Sequence, residues 1–256
     1  MKEIKVENIS NSITAEGIDV SSYSGDVVSV ISWPRSGNHW MRFLLGTYIH
    51  KKTDWDNISS IAPMVYHINE NDIKELPIPK IVGYHESHRV HFDTSKTIYL
   101  YRDPRDVIVS KYYYDRKMGN NGNALLEDYV NKFCYGSISA FGGWEEHVKS
   151  WVDCADVNMS YENMLKDTES SLELVLGAIE IDISIGKIEE TVKWCSFDNM
   201  RKLEDAQGWV WDDRAEKDIK FMRKGKSRQW EDELTERQVK KVESRFGDLM
   251  QRLGYV

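Results

Sequence analysis

Four places along this chain gather side chains able to grip an anion or move a proton. The first is Arg35-Ser36-Gly37-Asn38-His39-Trp40, which follows the apolar, β-branched run Asp26–Ser32 (DVVSVIS). A turn that leaves a strand and opens a helix aims backbone N–H groups outward, and the helix dipole adds positive charge, so it can hold an anion. Gly37 lets the backbone approach closely, Arg35 supplies a full charge and a donor fork, and Ser36, Asn38 and His39 add side-chain donors. The same residues also fit an ordinary turn with a surface arginine. The second place is Ile98–Ser110 (IYLYRDPRDVIVS), where Arg102 at a strand end and Ser110 further along a helix could clasp a phosphate. Arg102 could equally pair with Asp103 or Asp106 as a structural ion pair. The third is Arg223-Lys224-Gly225, a basic turn in an acidic chain, which can also be plain solvated surface. The fourth is His85, whose imidazole suits general base work near neutral pH.

Several classes of function are disfavoured. The ATP-loop pattern GxxxxGK[ST] is absent after the first strand, which counts against a nucleotide kinase. A net charge of -8 makes a poor nucleic-acid wrapper, because phosphate neutralisation supplies most of that affinity. Cys134, Cys154 and Cys195 form neither a metal spacing nor a disulfide framework, which reads as a reducing compartment. His85, His88 and His91 are not spaced as a zinc site, and no cysteine joins them; we expect no metal. The charged start Met1–Ser10 is no signal peptide, and no apolar stretch is long enough to span a membrane, so the expected location is cytoplasmic.

The elements that must position these residues alternate. The strand at Asp26–Ser32 leads to a helix at Trp40–Ile49, and a strand at Thr97–Tyr101 leads to a helix capped by Asp103, started by Pro104 and running to Tyr113. Helical patterns follow at Leu125–Phe133, Trp144–Ala155, Ser170–Ile179 and Ile185–Cys195, with a short strand at Val157–Ser160. Thr235 and Gln238 form a capping box before Val239, Val242, Phe246, Leu249 and Leu253, one apolar helix face. The expectation is an α/β fold, one domain over residues 1–256 with a central parallel sheet flanked by helices. Its nucleotide-binding core spans 26–230 and its C-terminal helix 235–253. Ligands of such folds sit at the carboxyl ends of the strands.

Ser32–Trp40 resembles the YPKSGTTW loop of the 3′-phosphoadenosine 5′-phosphosulfate (PAPS)-dependent sulfotransferases of the cytosolic type, with Arg35 for lysine and Asn38 and His39 for the two threonines. YLYRDPRDVIVSKYYY is similar to the family's 3′-phosphate segment, and Phe221–Gly225 to its FMRKG segment. Ser160–Met164 resembles FYEDM, Cys195–Phe197 with Met200 resembles TSFxxM, and Phe133–Trp151 is similar to the stretch GxVxYGSWxEHVxGW. The resemblance implies a P-loop-like phosphosulfate-binding loop at residues 35–39, adenine contacts from Trp40, Tyr161, Ser196 and Phe197, and a 3′-phosphate site at Arg102, Ser110, Arg223, Lys224 and Gly225. Tyr161 and Phe197 could also be simple core aromatics. The resemblance further implies PAPS as sulfuryl donor, PAP as product, and a small-molecule acceptor sulfated on a hydroxyl or amine, with His85 as base.

One position departs from the pattern. Gly83 stands where the family carries a lysine that stabilises the leaving oxygen, and we expect Arg35 to take over that catalytic task. The same departure keeps open a non-catalytic binder of adenosine 3′,5′-bisphosphate. For the acceptor, Leu203–Asp218 sets Trp209 and Trp211 among carboxylates that include Glu204, Asp205 and Asp212, which suits a cationic metabolite or alkaloid by cation–π contact. It is also readable as a solvated acidic lid. Tyr112, in the Tyr112–Asn123 segment, is a second acceptor candidate. The family's dimerisation pattern KxxxTVxxxE is not evident, so the oligomeric state is left open.

Overall fold

Strand β1 (Val27–Ser32) has every residue buried, as a run of β-branched side chains covered on both faces demands. The computed structural model describes residues 27–51, 62–64, 72, 75–88, 96–120, 124–207 and 219–256. β1 is flanked by β2 (Lys80–Tyr84) and β3 (Lys96–Tyr101), and β4 (Val157–Ser160) pairs with β3, in the order β2-β1-β3-β4. All pairings are parallel, with Val30 opposite Gly83 on one side and Ile98 on the other. The chain leaves β1 toward β2 and then returns to the far side as β3. The ends of β1 and β3 therefore flank a switch point, where an α/β sheet opens a crevice for ligand.

Helices cover both faces. Helix α1 (Asn38–His50) follows β1, and α2 (Pro104–Lys117) follows β3. Then come α3 (Leu126–Cys134), α4 (Trp144–Trp151), α5 (Tyr161–Lys166), α6 (Thr168–Ala178), α7 (Ile185–Trp194), α8 (Phe197–Gln207), the single turn α9 (Trp230–Glu233) and α10 (Glu236–Arg252). One face of the sheet carries Val27, Ile31, Val82, Tyr84 and Tyr99 against α2, α3, α4 and α10. The other carries Val28, Val30, Ile81, Ile98 and Leu100 against α1, α6 and α7. This is the alternation that period-two strands impose. The architecture is a single α/β domain with a parallel sheet between helical layers, as the sequence led us to expect.

The caps match their residues. Asp103 accepts from the Arg105 N–H at 2.9 Å with Pro104 at the first helical position, and the Thr235–Gln238 capping box is complete. Some boundaries differ from expectation. α2 runs past Tyr113 to Lys117, carried on by the buried Lys111–Asp115 pair one turn apart, 2.7 Å long. α4 stops at Trp151 rather than Ala155, where the chain turns toward β4. β2 was not among the expected strands, because Gly83 in its interior is a poor strand residue. The short helix α5, helix α8 and the single turn α9 were not anticipated. Among the described residues, no helix is long and apolar enough to cross a membrane.

Candidate active site

The turn from β1 into α1 is anchored by Trp33, which is buried and donates its indole N–H to the Gly142 carbonyl at 3.1 Å. Arg35 and Gly37 both adopt left-handed backbone, with φ of 73° and 102°. Gly37 caps α1, and a Cβ there would stand 3.0 Å from the Tyr161 ring, so the turn and the Tyr161 ring lie in close contact. The Ser36 hydroxyl is fully buried at this turn and has no partner. An orphaned buried hydroxyl at a helix N-terminus is the kind of group an anion satisfies.

Arg35 lies between two rings, 4.8 Å from the Tyr114 centroid and 4.4 Å from that of Phe221. Its Nε donates to Ser110 Oγ at 3.2 Å and its Nη2 to the Phe221 carbonyl at 3.4 Å. Burial lowers its pKa to about 10, with the nearby Arg102 charge acting in the same direction, so it remains a cation at neutral pH. The Arg35–Ser110 bond joins the first sequence cluster to the second.

Arg102 leaves the end of β3 and is 4% exposed. It donates to the Arg35 carbonyl at 3.3 Å, to the Lys226 carbonyl at 3.2 Å and to Asp106 at 3.3 Å, and its guanidinium lies 4.1 Å from the Tyr161 ring. The ion pair with Asp106 therefore exists, while Asp103 pairs with Arg105 instead. The Nε of Arg102 is buried without a partner. An unmet polar atom is thus found at each of the two clusters, Ser36 Oγ at the first and Arg102 Nε at the second. That chemistry fits a ligand with two separated phosphates.

The Phe221–Gly225 segment folds over this pair. Glu204 on α8 accepts the N–H groups of Phe221 and Met222, and Asp106 accepts those of Arg228 and Trp230. Gly225 has φ 60°, and a Cβ there would stand 2.0 Å from the Phe197 ring. Arg223 and Lys224 both pair with Glu233, at 3.1 and 2.8 Å, and Arg223 stacks over Tyr113 at 4.1 Å. Trp40 donates to the Cys195 carbonyl at 3.0 Å and sits edge-on to Tyr161, which places Trp40, Tyr161 and the Cys195–Phe197 segment together.

His85 follows the end of β2, beside the end of β1. Its Nδ1 lies 2.7 Å from the Ser32 carbonyl, so Nδ1 carries the proton and Nε2 the lone pair. Burial draws its pKa down to about 3, against the opposing effect of that hydrogen bond, and the ring is neutral. A neutral imidazole with its lone pair on Nε2 is in the form that proton abstraction needs. The backbone of this segment is clamped by residues that sequence reasoning did not single out. His147 donates Nε2–H to the His85 carbonyl at 3.0 Å and accepts the Tyr99 hydroxyl at Nδ1 at 3.1 Å. Trp151 donates to the Glu86 carbonyl at 2.8 Å, and Phe141 stands 5.4 Å from the His85 ring.

Two expectations need correction. The Asn38 side chain faces inward: its amide donates to the Val30 and Tyr84 carbonyls and its oxygen accepts from Arg42. Only its backbone remains for an anion. Of the carboxylates expected to attract a cationic acceptor, Glu204 is held by the 221–222 backbone and Asp205 by Lys220 and Arg201. Trp209, Trp211, Asp212 and His91 lie outside the described residues. Tyr112 packs on Tyr129, with its hydroxyl on the Ala124 carbonyl at 3.2 Å.

A parallel α/β sheet with an arginine at each of two strand-end turns and a neutral histidine beside them has the chemistry to hold a bisphosphorylated ligand next to a proton acceptor. The family model described as "Sulfotransferase domain" matches residues 25–254, and the chain belongs to that family. It is 26% identical over 259 residues to an amine sulfotransferase of Oryctolagus cuniculus, covering 92% of this chain and 84% of that protein. It is 26% identical to a flavonol 3-sulfotransferase of Flaveria bidentis, covering 90% and 83%. Among solved structures it resembles retinol dehydratase in complex with androsterone and PAP, with TM-score 0.74, 20% identity and coverage of 88% and 80%. A mouse sulfotransferase, SULT7A1, complexed with PAP aligns with TM-score 0.70, 20% identity and coverage of 90% and 87%. These neighbours establish the fold, and the family match makes the protein a sulfotransferase.

Proposed function

We propose that the protein transfers a sulfuryl group from PAPS to a hydroxyl or amine of a small molecule, with His85 as general base. PAPS supplies the activated sulfuryl group. The observation that carries the reading is the His85 tautomer. Its Nδ1 proton is tied to Ser32, the residue that begins the anion turn, so base and phosphosulfate loop are held by one strand end. His85 Nε2 takes the acceptor proton as the new bond to sulfur forms. The sulfur–oxygen bond to the 5′-phosphate breaks, its electron pair staying with PAP. Ser36, His39 and the backbone N–H groups of residues 36–39 hold the 5′ end, with Arg35 meeting charge as it grows. Arg102, Ser110, Arg223, Lys224 and Gly225 receive the 3′-phosphate, and Trp40, Tyr161, Ser196 and Phe197 the adenine. The bound PAP named for the two structural neighbours agrees with this.

The amine sulfotransferase relative keeps a cationic acceptor in view, with Trp209, Trp211, Asp212 and Tyr112 as candidate contacts. The test is incubation with radiolabelled PAPS and a panel of neutral and cationic alcohols and amines. We expect label in a sulfated product, lost in His85→Asn while PAP binding stays within about twofold of the original protein. Normal PAP binding with no labelled product from any acceptor would defeat the catalytic reading.

A further inference from the structure

Gly83 is an interior strand residue, where a side chain would ordinarily pack. A Cβ there would lie 2.5 Å from Met64 Sδ and 2.9 Å from both Cδ and Nε of Arg42. The space above the strand is filled from α1 instead. Arg42 sits in the apolar run of that helix and is 1% exposed. A cation that deep is costly unless its donors are met. Its Nε donates to Asn38 Oδ1 at 2.9 Å, its Nη1 to the Ala62 carbonyl, and its Nη2 bonds His39 Nδ1 at 2.9 Å. Asn38 in turn is fixed on the carbonyls of Val30 and Tyr84, which lie on β1 and β2.

Arginine has no lone pair to offer. The contact with His39 is a hydrogen bond only if Nδ1 accepts, which puts the ring proton on Nε2. A doubly protonated ring would set two donors face to face. Burial, then the charges of Arg42 and Arg35, hold the His39 pKa well below its ordinary value, in agreement with a neutral ring.

We propose that Arg42 is a positioning residue of the anion site: reaching across the gap at Gly83, it holds His39 as the neutral Nε2–H tautomer, a fixed donor in the first turn of α1 for the 5′-phosphosulfate end of the nucleotide. The ligand's identity rests on the sulfotransferase reading above. The tautomer is a property of the unliganded protein and does not. The strand gives up its side chain at 83 so that α1 can lay a guanidinium across it, and the charge this brings is used one helical turn away on the ring of residue 39.

The test begins with nitrogen NMR on the full chain labelled at histidine, with His39→Gln to assign the signal. The expected spectrum shows His39 protonated at Nε2 in the unliganded protein, and a mixture of protonation forms in Arg42→Met. An Nδ1–H form in the original protein overturns the proposal, and needs no variant to fold. Calorimetry with PAP then separates positioning from packing. Arg42→Met should weaken PAP about tenfold, the scale of one hydrogen bond to a charged group. His39→Gln removes the ring that Arg42 orients, so adding Arg42→Met to that variant should cost about threefold or less. Equal losses from Arg42→Met in both backgrounds would mean that Arg42 only packs, and would refute the proposal. A protein with the Nε2–H form that binds no PAP overturns the ligand, and with it the donor role, while the tautomer stands.

Discussion

His147 supports the His85 backbone from behind, and its burial makes a measurable demand on pH. It is 1% exposed, and burial, the largest influence, draws its pKa down to about 4 despite the hydrogen bonds to the His85 and Glu86 backbone. In the unfolded chain its pKa returns to about 6.5. The folded value is depressed, so the native state binds a proton less readily than the unfolded one. Stability from this residue is present above pH 6.5 and lost as pH falls toward 4. Linkage between those two values gives a loss of about 2 kcal/mol between pH 7 and pH 5. Replacement by glutamine removes the titration and can keep an N–H for the His85 carbonyl. Urea unfolding of the original protein and of His147→Gln at both pH values measures the effect, since the other titrating groups are common to both chains and cancel. The variant should lose about 2 kcal/mol less than the original on going to pH 5. Identical losses would show that His147 is not a buried neutral ring, and the clamp on His85 drawn from its tautomer would go with it.

Three other outcomes follow from the same geometry. Arg102→Met should weaken PAP by about 10- to 100-fold, the worth of charge-assisted hydrogen bonds, but leave adenosine 5′-phosphate affinity nearly unchanged; calorimetry with both ligands reads this. Gly225→Ala forces an alanine to φ 60° and its methyl into Phe197, so nucleotide affinity should fall at least about tenfold, with a lowered melting temperature. Thr235→Ala opens the capping box of α10 and should cost about 1 kcal/mol in unfolding experiments without touching nucleotide affinity.

What the sequence made legible is local, and what it hid is not. β1, β3 and β4 announce themselves through short β-branched or apolar runs, and α2 and α10 through Asp103-Pro104 and Thr235–Gln238, each a signal contained within a few residues. The two cradles were also visible, because a turn into a helix and an arginine at a strand end carry their chemistry in their own spacing. The partners that orient these groups come from elsewhere in the chain. Tyr99 and His147 meet across a sheet face, and neither position looks unusual in its own window. Glu204 read as part of an acidic surface until α8 placed it against the 221–222 backbone. The doubt over Arg102, phosphate ligand or ion-paired residue, dissolves because the two are compatible: Asp106 holds one nitrogen while Nε is left unmet.

Position 83 carries the deeper lesson. An arginine inside the apolar segment WMRFLLGTYI breaks the helix rule, and a glycine inside the apolar segment KIVGY breaks the strand rule. Each alone reads as a local weakness or, for Gly83, as a lost catalytic cation. The parallel register joins them: Gly83 pairs with Val30, whose carbonyl takes the Asn38 amide, whose oxygen takes Arg42 Nε. Two breaches of local pattern that cancel in space are one feature, and such breaches concentrate where function is held. The positive charge absent from the strand is therefore present at the same place in the fold, delivered by α1.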